Sequence, residues 1–477
     1  MNAGKTAAAL HAEGLACWRA GDLDRALEAI GRAVDLAPET ASIRTSFGLV
    51  LAALGLGEAA RAAWRGALAL QPAAPEPQVN LANAALAARP PDQDGARRLY
   101  RRALAADPAH AAALGNLGLL AERAGEPAST LRLYARALAL SPDHARLWAN
   151  LGSARHWRAH LAEAGRAFDR ALGIEPSLPG ARFDRAINRL IQGDWRGLAD
   201  YEARLERPGA VPPGLALPFW QGEDPKTRHI LLFAEQGHGD ALQFLRFVPR
   251  LRALGARVSL LASPRLVPLL REMPGLDGVH EFAAPPPADL LAPLMSLPWL
   301  LGLGAETAKA VPPYLAAIPS NALAADGRKL VGLLWAGNPA NETDARRSLS
   351  LDRLRPLLAR ERLRFVSLQF GPHAGDVAEH GLETRIERPR LGDFKETAAL
   401  VASLDLVVTV DTAMAHLAGS LGKETWVLLS HVPDWRWGIE GERTSWYPSL
   451  RLFRQKRPGD WESAIAALVA ALDRRFP

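Results

Sequence analysis

Residues 405–422, DLVVTVDTAMAHLAGSLG, run from a buried strand through a polar turn into a helix start, and this unit decides the fold of the C-terminal half. Leu406, Val407, Val408 and Val410 form an apolar run of the kind found in a strand covered on both faces. Asp411 and Thr412 end it, and the small residues from Ala413 to Leu421 favour a helix. Thr412 and the first free amides of that helix then stand where an anion such as a diphosphate binds. Capping of the helix by Asp411 or Thr412 is the plainer alternative, because both residue types accept hydrogen bonds from a first turn.

Outward from this unit, apolar runs of the same kind recur at Ile230 to Ala234, Val258 to Ala262, Val331 to Ala336, Phe365 to Leu368 and Thr425 to Leu429, alternating with helical stretches. That alternation predicts parallel βα units. They divide into two Rossmann-like sets, 226–318 and 328–477, joined by an alanine- and proline-rich segment. The shorter first set predicts a trimmed sheet. Ahead of them, 207–225 opens with the proline- and glycine-rich stretch Arg207 to Pro218 and reads as a linker.

The N-terminal part, 1–206, follows another rule. Pro38, Pro72, Pro108, Pro142 and Pro176 are spaced by 34, 36, 34 and 34 residues, the period of a tetratricopeptide helix-turn-helix repeat. A large apolar residue (Ile30, Trp64, Tyr100, Tyr134, Phe168) precedes an alanine (Ala33, Ala67, Ala103, Ala137, Ala171) in each repeat. Gly14, Gly48, Gly118 and Gly152, with Ala82 in the third repeat, fill a small position where two helices must approach. Five repeats and a degenerate sixth around Phe183 to Leu205 predict a solenoid, an architecture whose curved face binds other proteins. Asn80, Asn116 and Asn150 recur in one register, where side-chain amides can pair with an extended peptide backbone. Helix capping or solvent contact is the alternative role for these asparagines.

A length of 477 residues implies two or three domains. The formal charge of +6 comes from arginines dispersed along helices, so it makes no specific case for nucleic acid; an acidic ligand fits equally. Cys17 is the single cysteine, which excludes an internal disulfide and a cysteine-rich metal site and fits a reducing cytoplasm. The N-terminal stretch lacks the apolar core of a signal peptide. The longest apolar run, Leu290 to Gly304, is too short to span a bilayer and contains Pro293 and Pro298, so no membrane segment is expected.

Three further stretches carry candidate chemistry. Glu235 to Asp240 (EQGHGD) follows a strand, with Gly237 and Gly239 allowing a tight turn and Asp240 at the start of a helix expected from Ala241 and interrupted near Pro249. Asp240 faces the cleft in this reading; a cap for its own helix is the other role open to it. In LVGLLWAGNPANETDARRSLSL (330–351) a strand leads into a loop bearing Asn338, Arg346, Arg347 and Ser348, where Arg347 can neutralise phosphate and Arg346 is better read as solvated. Residues 433–455 concentrate Trp435, Trp437, Trp446 and Tyr447 among arginines, which suits sugar or base stacking and equally suits a seam between domains. No metal-ligating spacing stands out.

As a set, PFWQGEDP (218–225), ILLFAEQGHGDALQFLRFVP (230–249), PLMSLP (293–298), VGLLWAGNP (331–339), RRSLSL (346–351), DWRW (434–437) and SWYP (445–448) resemble the bacterial tetratricopeptide-repeat glycosyltransferases, whose catalytic half is related to lipopolysaccharide heptosyltransferases. The resemblance covers nearly the whole chain. It implies an α solenoid followed by a GT-B fold, two Rossmann-like domains facing across a cleft, and metal-independent inverting transfer with a nucleotide sugar as co-substrate and no further cofactor. It implies Asp240 as the acceptor-activating base, with His238 and Glu235 as other candidates; His238 stands where the family commonly has an apolar residue. The family's donor-binding Asp-Thr and the following histidine fall on Asp411, Thr412 and His416, and Ala413 stands where heptosyltransferases usually have glycine; Asn338, Arg347, Gln369 and Met414 are the other donor-binding candidates. Asn80, Asn116 and Asn150 resemble the asparagine ladder of nucleocytoplasmic O-GlcNAc transferases and would hold a protein acceptor. Some members with this layout are similar to enzymes that glycosylate flagellin with a nonulosonic acid. The expected function is therefore cytoplasmic glycosylation of a protein, flagellin among the candidates. Surface-polysaccharide or lipid-linked glycan assembly is one competitor, and a non-catalytic repeat adaptor is the other.

Overall fold

The computed structural model describes residues 2–305, 313–320, 323, 326–341 and 343–477. Parts of the expected 226–318 domain and of the joining segment after it, at 306–312, 321–322 and 324–325, lie outside the described residues. By compactness the chain divides into two units, Met1–Ala154 with Arg166–Pro176, and Arg155–Gly165 with Ser177–Pro477.

The first unit is helical. Helix pairs run from Asn2–Arg19 with Leu23–Leu36, through Ala41–Ala53 with Gly57–Leu70, Pro75–Ala87 with Gln93–Ala106 and Ala111–Arg123 with Pro127–Leu140, to Ala145–His156 with Leu161–Ile174, a pair whose Arg155–Gly165 stretch is grouped with the second unit. The periodic prolines sit in the turns that follow each second helix, where a missing N–H costs least. Two columns expected from the repeat pattern meet inside each pair. A Cβ added to Gly48 would lie 2.3 Å from Trp64 Nε1, one on Gly118 2.9 Å from Tyr134 Cε1, and one on Gly152 2.6 Å from Phe168 Cε1. In these three pairs the aromatic ring of the second helix packs on the backbone of the first, and a Cβ there would collide with it; the third pair carries Ala82 at this position, and the first sets Gly14 against Ile30.

The second unit holds two parallel sheets. Strands β1 (His229–Phe233), β2 (Arg257–Ala262), β3 (Gly278–Glu281) and β4 (Leu290–Pro293) form the first, in the order β3-β2-β1-β4. Strands β5 (Lys329–Leu334), β6 (Leu363–Ser367), β7 (Ile386–Glu387), β8 (Leu406–Val410), β9 (Thr425–Leu429) and β10 (Leu450–Arg454) form the second, in the order β10-β9-β8-β5-β6-β7. The chain lays β6 and β7 outward from β5 and then returns to lay β8, β9 and β10 on its other side, the order of a doubly wound nucleotide-binding sheet. Pairing is in register from Val331 to Phe365 on one flank and from Val331 to Leu406 on the other. The first sheet repeats the scheme in short form, with β1 between β2 and β4. Each sheet therefore has a topological switch point, between β1 and β4 and between β5 and β8, and ligands bind outside the carboxyl ends of strands at such points.

Three expectations need correction. The stretch 207–225 is more than a linker: Val211, Leu215, Leu217 and Phe219 pack on Leu231, Phe233, Leu261 and Leu291, and Phe219 bridges Leu291 at the sheet edge. Proline and glycine content there reflects an irregular backbone, while the apolar residues between them cover a sheet face. Helix Pro179–Leu190 and the short Gly197–Tyr201 belong to the second unit, because Ala186, Leu190, Leu198 and Tyr201 share the core of the sheets. The helix after β1 begins at His238, ahead of the expected Ala241, and breaks at Leu245–Phe247 before continuing as Val248–Ala253. The long apolar run at 290 becomes β4 and two short helical turns. Among the described residues no helix is long and apolar enough to cross a membrane.

Candidate functional site

The turn after β1 carries Asp240 in the first turn of helix His238–Phe244. Its Oδ2 accepts from the Gly237 N–H at 2.8 Å, reaching back to the helix start as an acidic third residue does. Its Oδ1 accepts from Arg436 Nη2 at 2.5 Å. The capping role is therefore real and coexists with an ion pair to the turn that follows β9. Gln236, just ahead, has a left-handed φ of 73°, an uncommon conformation for a residue with a side chain.

Directly opposite lies the start of helix Ala413–Ser420. A Cβ on Gly239 would lie 2.8 Å from His416 Cδ2 and 3.1 Å from the Ala413 Cα, so the glycine turn of the first sheet rests on the helix start that follows β8. The carboxyl edges of the two sheets thus meet at this point. Thr412 is the N-cap of that helix: its Oγ1 accepts from the Met414 N–H at 3.3 Å. Asp411 is buried, and desolvation, with the nearby Asp434 carboxylate adding to it, pushes its carboxyl up to about 6 against the pull of Arg347 and Arg436. His416 bonds Tyr447 Oη through Nδ1 at 3.1 Å and stacks on Trp437 with ring centroids 5.2 Å apart. Burial first, then the arginines Arg436, Arg246 and Arg347, hold its imidazole well below the usual histidine range. His416 is therefore neutral near pH 7 and brings no positive charge to a phosphate. Met414 is in the core, 1% exposed, so its backbone amide and not its side chain is at the turn.

On the neighbouring strand ends, Gly337, Asp344, Arg347 and Ser348 form one knot. The Gly337 N–H donates to Ser348 Oγ and Ser348 Oγ donates to Asp344 Oδ2, both at 2.8 Å, while Arg347 Nε donates to Asp344 Oδ1 at 3.2 Å. Arg347 is about a quarter exposed and stands close enough to Asp411 and His416 to influence both. Asn338 is exposed and accepts the Ala340 N–H in a tight turn. Arg346 lies over the ring of Trp157 at 3.9 Å rather than being merely solvated. Gln369 is spent on structure: its Oε1 accepts from the Trp335 and Ala336 N–H groups, and its Nε2 donates to the Ala336 and Phe370 carbonyls. An amide with its donors and acceptor so engaged positions the loop after β5 and does not contact a ligand.

The other two candidate bases are not beside Asp240. His238 bonds Ser263 through Nε2 at 2.9 Å and lies against Phe394. Glu235 is buried beneath the turn, where Arg204 Nη2 donates to its Oε1 at 2.8 Å and the Met295 N–H adds a bond at 3.2 Å. Burial pushes the Glu235 carboxyl up to about 7 despite Arg204. Arg204 also donates to Ser296 Oγ and Glu202 Oε1, each at 2.6 Å, so this network pins the 201–206 segment under the first switch point.

Trp435, Trp437 and Trp446 are between 2% and 4% exposed. Trp446 stacks on Trp195 at 5.9 Å and Trp435 meets Tyr201 and Phe244. Of the two readings of this aromatic cluster, the internal seam holds, because no open ring face remains for a sugar. Arg436 and Asp434, between and beside these rings, are the site residues that sequence reasoning missed. The signal was an acid two places before an arginine bracketed by tryptophans, a spacing that lets the acid hold the arginine's own side chain.

In the first unit, Asn80, Asn116 and Asn150 lie half-buried on the first helices of three successive repeats. Asn116 Nδ2 donates to Asn83 Oδ1 at 2.9 Å, and the Tyr100 hydroxyl donates to the same oxygen. Asn116 is thus partly engaged within the solenoid. Among the described residues, no group of three or more histidine, cysteine or acidic side chains is gathered for a metal ion.

A family model described as tetratricopeptide repeat matches residues 11–76. Protein FlbA of Caulobacter vibrioides is 29% identical over 321 residues, 60% of this chain and 53% of that protein, so the chain spans about half the length of the curated relative it matches. Among solved structures, Pseudomonas aeruginosa PilF is 16% identical with a TM-score of 0.39, covering 45% of this chain and 95% of its own. A thermophilic tetratricopeptide-repeat protein of Thermus thermophilus is 21% identical with a TM-score of 0.34, covering 39% and 99%. The chain carries tetratricopeptide repeats followed by an α/β part with parallel sheets.

Proposed function

We propose that this chain is a glycosyltransferase of the GT-B architecture, which moves a sugar from a nucleotide-activated donor to a hydroxyl side chain of a protein recruited by its repeats. The observation that carries this reading is the meeting of two switch points: the Asp240 turn after β1 lies against the helix start after β8. A cleft with an acid on one wall, and a helix start with a partly exposed arginine on the other, suits an acceptor hydroxyl facing a phosphate-bearing donor.

In the proposed step the acceptor oxygen attacks the anomeric carbon from the face opposite the nucleotide. Its proton passes to Asp240, and the bond to the nucleotide breaks with its electron pair on the phosphate oxygen, giving inversion. Arg347, Thr412 and the amides at Ala413 stabilise that departing charge, a task that preorganised dipoles and cations perform without a metal. Each oxygen of Asp240 already accepts one hydrogen bond and retains capacity for another. Glu235 and His238 take no part in proton transfer in this scheme, since their partners lie elsewhere. The protein acceptor, with flagellin first to test, the nonulosonic acid donor and the cytoplasmic setting follow from the family resemblance.

A repeat adaptor without transfer is the second reading, favoured by one observation: both Asp240 oxygens are bonded and Gly239 covers the start of the opposite helix. Intact-mass measurement of flagellin from cells with the gene, without it, and complemented by wild type or Asp240→Asn separates the two. The transferase reading expects added sugar mass that vanishes with the gene and returns only with wild type. Equal restoration by both versions would favour the adaptor, and unmodified flagellin throughout would remove it as the acceptor.

A further inference from the structure

The guanidinium of Arg436 joins the two carboxyl edges. Its Nη2 donates to Asp240 Oδ1 at 2.5 Å, its Nε donates to Gln243 Oε1, and its Nη1 donates to Asp434 Oδ1 at 2.8 Å. The planar group lies over the Trp435 ring at 4.8 Å and near Phe244 at 5.6 Å. Asp240, Gln243 and Phe244 belong to helix His238–Phe244 of the first sheet, while Asp434 and Trp435 follow β9 of the second. The Arg436 side chain is 5% exposed, so it does not reach the donor or the acceptor itself.

We infer that Arg436 is a positioning residue for sugar transfer, which fixes the carboxylate of Asp240 only when the two sheet edges are together. This role rests on the transferase reading. The Gly237 N–H holds one oxygen from within the first sheet and Arg436 holds the other from the second, so the plane of the carboxylate is set by both halves. A carboxylate on the first turn of a short helix would otherwise rotate about its side-chain bonds. The fork of arginine serves three acceptors in fixed directions at once, which the point charge of lysine cannot. Closing the cleft then orients the proposed base, and opening it releases that constraint, so that proton transfer is coupled to closure around bound substrate.

The test is a double-mutant cycle. Arg436→Lys and Arg436→Gln are made in the wild-type and Asp240→Asn backgrounds, with turnover of a nucleotide sugar, donor Kd by calorimetry, and thermal melting recorded for each. Residues that act as a unit are strongly non-additive, so the change at Arg436 is expected to cost about 10–100-fold in turnover with Asp240 present and less than about threefold without it. Donor Kd is expected to stay within about threefold, since the guanidinium is buried and its nitrogens are spent on Asp240, Gln243 and Asp434. Should Arg436→Gln fail to fold, Arg436→Lys, which keeps the charge, carries the cycle alone. An equal loss in both backgrounds, or donor affinity falling in step with turnover, would overturn the inference and leave Arg436 as a structural tie. A wild-type chain that turns over no nucleotide sugar would overturn the transferase reading, and this role with it, before any variant is made.

Discussion

The repeats and the paired sheets solve the same problem, covering apolar surface, at very different distances along the chain. In the repeats Trp64, Tyr134 and Phe168 are each received by a glycine sixteen positions earlier, Gly48, Gly118 and Gly152, so these contacts are local. In the sheets the decisive contacts are remote. Arg436 meets Asp240 across 196 positions, and Arg246 meets the Trp446 carbonyl across 200. A repeat array can lose one module and keep its neighbours, since each packs only against the next. A cleft made of distant strand ends depends on the whole unit.

The sharpest way to break this comparison is at Asp240. Asp240→Asn leaves one side-chain oxygen to accept, so it keeps either the Gly237 cap or the bond to Arg436 but not both; it is expected to lower turnover by about 100- to 10,000-fold, the contribution of a positioned acid or base. Steady-state kinetics with a melt as control decides it; near wild-type turnover would take the proton-accepting role from this residue.

Acceptor recognition in the repeats should fail more gradually. With each hydrogen bond worth roughly 0.5–1.5 kcal/mol, replacing Asn80, Asn116 and Asn150 together by alanine should weaken acceptor binding by about one to three orders of magnitude. Because Asn116 also bonds Asn83, its single replacement is the one expected to lower the melting point. Donor hydrolysis should be unchanged, and undiminished transfer to the intact acceptor by a folded triple variant would return these asparagines to structural roles.

Local packing in the repeats supplies a smaller effect. Gly118→Val sets a side chain against the Tyr134 ring and should destabilise its helix pair by about 1–3 kcal/mol, as overpacked cores do. Denaturation followed by tryptophan fluorescence and circular dichroism should show the loss in the repeats, with donor binding intact; an equal loss in both would mean that the two halves unfold together.

The mildest probe is pH. The Asp411 carboxyl, raised by burial to about 6, adds stability that is complete below its unfolded value near 4 and is lost as pH climbs through 6. Asp411→Asn lacks that loss, so its stability relative to wild type should rise between pH 4 and pH 7, by on the order of 2–3 kcal/mol. Melting of both proteins across that range checks it, and a constant difference would mean that Asp411 is solvated.

Six of the ten strands among the described residues were legible as apolar runs because they are interior and covered on both faces. The other four, the two-residue β7 and the edge strands β3, β4 and β10, were not, since an edge strand of two to five residues carries few apolar positions or, as at Leu290–Pro293, merges into a longer apolar run. Gln369 shows the same limit at the site. Its type suited a ligand, yet its amide is consumed by the backbone of Trp335 and Ala336, a fate set by the neighbouring strand. The tryptophans near 435 were ambiguous for the same reason, because burial is decided by what arrives from elsewhere.

The sequence by itself determined the repeat register, the order of strand and helix, and the turns at Asp240 and Thr412. Each depends on residues within one or two elements, where propensity and spacing act directly. Only the tertiary structure decided that Asp240 pairs with Arg436, that Glu235 pairs with Arg204, and that His416 is neutral. Those outcomes depend on which charges are brought together and how far water is excluded, and both are properties of strand ends distant in the chain that folding places side by side.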